Sequence, residues 1–137
     1  MLALILTAAS RAGAQEATWV EVARVADSAI FLDSASIHPV KGGLLEARSK
    51  REYYTPRHYR SDTYNLVLSQ ARIDCKNQSE MGLSSEYYMG KTLVQRFFST
   101  AARRHWSPHR PGNYTDMAIA MACRIAESRK ASPGAQP

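Results

Sequence analysis

The chain has 137 residues, 45% of them hydrophobic, 22% charged and 9% aromatic, with two cysteines and a formal charge of +6. That length suits one domain, and a fold of this size buries roughly two thirds of the surface its unfolded chain exposes, enough for a real core. Seven Gly and six Pro are far from collagen-like or low-complexity usage, which argues against disorder throughout, and no apolar run reaches the roughly 18 residues of a membrane-spanning helix.

In chain order, residues 2–9 (Leu-Ala-Leu-Ile-Leu-Thr-Ala-Ala) form an apolar stretch too short to cross a bilayer, and Ala12-Gly13-Ala14 has the small-x-small form that signal peptidase cuts. Residues 1–14 are therefore expected to be an export signal with Gln15 as the mature N-terminus, although Met1 precedes the apolar run without a basic region. Cleavage there removes Arg11 and no acid, lowering the formal charge from +6 to +5. No Cys stands at the cleavage position, so no lipid anchor is expected there. In an oxidising compartment two lone cysteines most simply pair, here Cys75 with Cys123. The alternatives are a nucleophile, which needs a neighbouring His, or zinc ligands, which need further Cys or His close by. Neither cysteine has such company in the sequence.

Thr18–Ala26 alternates in period two, as a strand does, and after a turn at Asp27-Ser28 the segment Ala29–Asp33 reads as its returning partner. Ser34–His38 is expected to make a helical turn stopped by Pro39. Gly42-Gly43 launches a long strand over Leu44–Thr55, with Leu45, Ala47 and Tyr53 on one face and Glu46, Arg48, Lys50 and Glu52 on the other. Pro56–Asp62 reads as a basic, aromatic loop. Tyr64–Asp74 alternates again, Leu66 and Leu68 facing one way, Val67, Ala71 and Ile73 the other. Lys76–Glu80 is turn-like, and Met81–Met89 and Leu93–Ser99 form a hairpin across Gly90-Lys91, with Tyr87, Tyr88, Phe97 and Phe98 expected near its closed end. Together these predict an antiparallel meander. Asn113 is placed to cap a helix over Tyr114–Ala126, where Met117, Ala118, Met121, Ala122 and Ile125 line one face, and residues 128–137 read as a flexible tail.

Catalytic chemistry finds no constellation. His105 and His109 are four apart, but Pro108 between them denies the helix that would align them, and His38 and His58 stand alone in loops. Glu46 and Glu52 are interleaved with Arg48 and Lys50, which makes a salt-bridged, solvated face rather than an acid–base pair. There is no nucleophile elbow, no P-loop and no dinucleotide fingerprint. No enzyme activity, metal or cofactor is expected.

Basic residues mixed with aromatics rise above this background. Arg48, Lys50, Arg51, Arg57 and Arg60 accompany Tyr53, Tyr54 and Tyr59, and Arg96, Arg103, Arg104 and Arg110 accompany His105 and Trp106. Such patches bind acidic protein segments or other polyanions, while the ordinary reading is that strand arginines cover a sheet face and blunt its edges. Export argues against nucleic acid as the partner. Trp106 is expected to be a core anchor beneath the helix.

The order and spacing of "WVEV", "AIFLDSASI", a long basic strand ending in Tyr-Tyr, "YNLVLSQARIDC", "SSEYYMGKTLVQR", "HWSPHRPG" and a helix ending "AMAC" resemble the surface-adhesin protein E family of Gram-negative bacteria. The similarity runs over about residues 18–124, which gives one such domain within residues 15–127. The resemblance implies an α+β fold, a six-stranded antiparallel sheet packed on a C-terminal helix, with Cys75 after the fourth strand bonded to Cys123 of the helix. It implies a non-catalytic, exported protein of the periplasm or cell surface that binds host extracellular matrix or serum proteins; separately, an exposed strand edge of such a sheet could pair two copies into a homodimer. The alternative is a periplasmic accessory or structural protein of the envelope without a host ligand, since fold transfers more readily than function. The binding candidates are Arg48, Lys50, Arg51, Tyr54, Arg57, Tyr59, Arg60, Arg96, Arg103, Arg104 and Arg110.

Overall fold

The computed structural model describes residues 16–108 and 110–131; the export signal expected at 1–14, His109 and residues 132–137 of the expected tail lie outside them. Six strands follow one another in a single antiparallel sheet, each beside its neighbour in sequence: β1 (Trp19–Arg24), β2 (Ser28–Val40), β3 (Leu44–Tyr59), β4 (Asp62–Asp74), β5 (Ser79–Met89) and β6 (Thr92–Phe98). A 3-10 turn at Ala101–Arg103 and an extended segment lead to one helix, α1 (Tyr114–Ala131).

Residues paired across antiparallel strands share a face, so the register sorts the side chains. Leu32 opposite Ser49, Leu45 opposite Ile73 and Ala47 opposite Ala71 face the helix. Leu32, Ile37, Leu45, Ala47 and Ile73 close with Ile119 and Ala122 of α1 into the buried core. The helix begins as its sequence dictates: Asn113 Oδ1 accepts the Asp116 N–H at 2.8 Å, satisfying one of the free donors of the first turn. Cys75 and Cys123 are disulfide-bonded, their Cα atoms 5.9 Å apart, tying the end of β4 to the middle of α1. Closing a loop of 48 residues stabilises a fold by about 4 kcal/mol on the chain-entropy account.

Three expectations need correction. The helix continues through Ala131 instead of giving way to tail at residue 128. Its last turn is held because Arg129 donates to Ile37 O at 2.9 Å and Ser34 O at 2.6 Å. Ser34–His38 is not a helical turn but an irregular stretch of β2, where the pairing shifts between Asp33 and His38. Ser36 makes that irregularity: its hydroxyl donates to Asp33 O at 2.7 Å and accepts Arg48 N–H at 2.8 Å, so the chain bends without leaving the sheet. Pro39 is tolerated there because β1 has ended, leaving no second neighbour that needs its missing N–H. Pro56–Asp62 is not an open loop either; β3 runs on to Tyr59 and turns tightly at Arg60, whose φ is +55°.

On the opposite face of β2, Asp33 is only 1% exposed. It accepts the Thr18 N–H at 2.9 Å and the Ala35 N–H at 3.2 Å, and Arg48 donates to it at 2.8 and 3.2 Å. Burial alone would raise this carboxyl, but the Arg48 guanidinium and the two backbone donors outweigh burial and hold it below the usual carboxylate range. A depressed folded-state pKa contributes stability that is present above the unfolded value of about 3.9 and lost as pH falls through the folded value. Asp33→Asn is expected to cost about 2–4 kcal/mol at pH 7 and to flatten the acid limb of the stability curve below about pH 4, measured by urea unfolding across pH.

Candidate protein-binding surface

The helix packs on β1, β2 and the start of β5, leaving the far ends of β3 to β6 without a cover. There β3 reads Tyr53-Tyr54-Thr55-Pro56-Arg57-His58-Tyr59. Between the Glu52–Leu66 and Arg57–Tyr64 pairs, β3 advances five residues while β4 advances two. Surplus residues on one strand bend and twist it, so the β3–β4 hairpin arches over the sheet. Its tip brings Tyr59 to 5.9 Å from Phe97 of β6, three strands away in the sheet order.

A chain of rings runs under the arch. Tyr53 meets Tyr64 at 5.8 Å, Tyr64 meets Tyr87 at 4.8 Å, and Tyr87 meets Phe97 at 5.6 Å, all edge to face. Each such pair contributes about 0.5–1.5 kcal/mol beyond its buried area. Burial pushes the Tyr53 and Tyr87 hydroxyls above the usual tyrosine value, with Arg51 pulling the other way on Tyr53. Around this small cluster Tyr54 is 54% exposed, with Tyr59, Met89, Leu93 and Phe97 also open to solvent, while Phe98, 72% exposed, lies on the opposite face of β6. Tyr87 lies towards the closed end of the β5–β6 hairpin, but Phe97 and Phe98 oppose Ser85 and Ser84 towards its open end, which corrects the expected grouping.

Guanidinium groups lie on these rings: Arg57 over Tyr53 at 5.5 Å, Arg60 over Tyr59 at 5.5 Å and Arg96 over Phe98 at 6.0 Å. Arg57 also approaches Asp27 at 3.5 Å. Arg51 is different. Odd-numbered residues of this part of β3 face the helix, and Arg51 donates to Ser28 Oγ at 2.8 Å, Asp27 Oδ1 at 3.2 Å and Tyr114 Oη at 2.9 Å. It thereby clamps the β1–β2 turn to the start of α1 while stacking on Tyr53 and Tyr114.

The remaining candidates divide between the outer face and the connecting segment. Arg48 holds Asp33, and Lys50 sits between the Trp19 and Phe31 rings at 5.0 and 4.8 Å while donating to Glu52 at 2.7 Å. Arg96 donates to Glu86 at 2.9 Å, and this bond together with that from the Tyr88 hydroxyl holds the Glu86 carboxyl below its usual range. Glu46 pairs with Arg72 at 2.8 Å and lies 3.4 Å from His38, giving the salt-bridged face its alternation predicts. Arg103, Arg104 and Arg110 belong to the segment before the helix and form no ion pair among the described residues, nor does Arg60; Arg104 donates to Ser99 O at 3.1 Å. Trp106 is 39% exposed on that segment and is not a core anchor. Chain position explains this: Ser107 N–H bonds Glu80 O at 2.8 Å, which draws the segment along the sheet margin instead of beneath the helix.

Tyr64, Tyr87 and Phe97 join this surface although simple alternation assigns them no role. Only the register shift in β3 brings them together with Tyr53 and Tyr59.

Comparison with known proteins agrees with this architecture. The profile of the family described as surface-adhesin protein E matches residues 19–124. The crystal structure of protein E from non-typeable Haemophilus influenzae aligns with a TM-score of 0.51 at 14% identity, covering 93% of this chain and 86% of that one. No curated protein matches in sequence. The two classes of arginine should separate in stability. Arg51→Met is expected to lose about 1.5–3 kcal/mol in urea unfolding, whereas Arg60→Met changes stability by less than about 0.5 kcal/mol.

Proposed function

Because the chain belongs to the surface-adhesin protein E family, we propose that it is an exported, non-catalytic binding protein that holds a host extracellular protein, of the matrix or serum, through the arched aromatic end of its sheet. One observation carries this reading: exposed rings and guanidinium groups occupy the same uncovered end, with Arg60 over Tyr59 and Arg57 over Tyr53, next in sequence to the exposed Tyr54. Aromatic and arginine side chains dominate the binding energy of protein interfaces, because they bury large area at little entropic cost and still hydrogen-bond. Arg57, Arg60, Arg103, Arg104 and Arg110 supply a positive field that steers an acidic partner surface, while Tyr54, Tyr59 and Phe97 supply the contact. Arg48, Lys50, Arg51 and Arg96, whose charges are engaged within the chain, shape the sheet that presents them.

The surface of the cell is the location this reading requires, and protease applied to intact cells is expected to digest the protein. Protection from protease would place it behind the outer membrane, as a periplasmic accessory protein, and would remove the host ligand. Binding to a panel of immobilised matrix and serum proteins tests the site itself. Tyr54→Ala with Tyr59→Ala is expected to weaken binding about 10–100-fold, and Arg57→Glu with Arg60→Glu to slow association and reduce its salt dependence. Unchanged binding in both double variants would overturn the assignment.

A further inference from the structure

Glu80 occupies a position that its neighbours mark as core. Its strand partner is Ile73, 4% exposed and part of the buried cluster, so the carboxylate points to the helix side of the sheet. Further along the same face Ala71 opposes Gly82 and Ser69 opposes Ser85, all small. A Cβ added at Gly82 would meet nothing within 4 Å. The small residues leave a groove of about 330 Å³ between the sheet and the first turns of α1, walled by Thr115 and Ala118 and closed at its outer end by Tyr53, Tyr64 and Tyr87. A second cavity of about 440 Å³ opens on the other side of Glu80, beneath Pro108, Arg110 and Asn113, and shares Glu80, Tyr114 and Thr115 with the first.

Among the described residues the Glu80 carboxylate has no hydrogen-bond or ion-pair partner. Arg51, which lines the same groove, is committed to Asp27, and Arg110 does not reach Glu80. Burial pushes the Glu80 carboxyl above the usual range, and no neighbouring charge or donor brings it back. An acid with a raised folded-state pKa is most favourable at low pH and loses stability as pH rises through that value. At neutral pH Glu80 therefore weakens the fold, where Gln, of the same shape, would not. A group kept at a cost to stability inside a cavity marks a site with a use.

We infer that this groove binds an alkylammonium or alkylguanidinium group, the charged head on Glu80 and the apolar stem along Gly82 and Ala118 towards the tyrosine rings. The ring faces suit a cation and its stem equally. The same chemistry is presented by a free organic cation or by a lysine or arginine side chain of a partner protein. The site does not depend on the exposed aromatic surface, since Tyr54, Tyr59 and Phe97 take no part in it.

The test titrates the disulfide-bonded chain with n-butylguanidinium while following backbone amide resonances. Saturable shifts are expected at Gly82, Thr115 and Ala118, absent with butyrate. Glu80→Gln is expected to melt at or above the native temperature and to bind at least tenfold more weakly. Gly82→Val, which fills the groove and leaves Glu80 in place, is expected to abolish the shifts in a folded protein. If Glu80→Gln fails to fold, Gly82→Val decides. An acetyl-Ala-Arg-Ala-amide peptide distinguishes the sources: tighter binding than butylguanidinium assigns the site to a partner side chain, weaker binding to a free cation, and either upholds it. Equal shifts with butyrate, or unchanged binding in the folded variants, would overturn the inference.

Discussion

One helix has to serve a sheet of six strands. Six strands spaced about 4.8 Å apart make a face wider than the roughly 10 Å breadth of a helix, so the position of α1 determines what is core and what is surface. Three contacts fix that position. The Cys75–Cys123 bond holds its middle to the end of β4, Arg129 holds its last turn to the irregular stretch of β2, and Arg51 holds its first residue to β3. Leu32, Leu45, Ala47 and Ile73 fall beneath it. The far ends of β3 to β6 do not, and the sheet covers them in part with its own arched hairpin. The aromatic surface is thus a consequence of the helix's placement as much as of the residues that form it.

The basic excess acquires meaning in the same way. Taken along the chain, the arginines of β3 form one patch, but the pleat sends Arg48 and Lys50 to one face and Arg51 to the other. Arg48 serves a buried aspartate, Lys50 fills the space between two rings, and Arg51 clamps a turn to a helix. What remains uncommitted lies at the hairpin tip and on the segment before the helix. Separation of structural from available charge is what links this fold to binding, because only the available charges can meet a partner without dismantling the sheet.

Much of the sheet was legible in the sequence because its strands carry period-two patterns bounded by turn residues. Leu66 and Leu68 do face away from Val67, Ala71 and Ile73, and Asn113 does cap the helix. The cysteine pairing followed from compartment and family resemblance, and the geometry bears it out. Register irregularities were not legible. Ser34–His38, with two serines and followed by Pro39, and Pro56–Asp62, which begins with proline, favour turns locally, and only pairing with a neighbouring strand overrides that preference. The arch that assembles Tyr53, Tyr59, Tyr64, Tyr87 and Phe97 depends on such an irregularity, so the ring cluster was invisible even though every ring was in view. Glu80 escaped notice for a related reason: beside Gln78 and Ser79 it reads as part of a polar turn, and only its pairing with Ile73 reveals that it faces the core.

The claim at the centre of this account is that the uncovered end of the sheet, and not the helix side, meets the partner. Hydroxyl-radical footprinting of the complex with a matrix or serum protein that it binds tests this directly. Tyr54, Tyr59 and Phe97 are expected to become protected while Met117, exposed on the helix, keeps its reactivity. Protection of Met117 with Tyr54 and Tyr59 unchanged would contradict it.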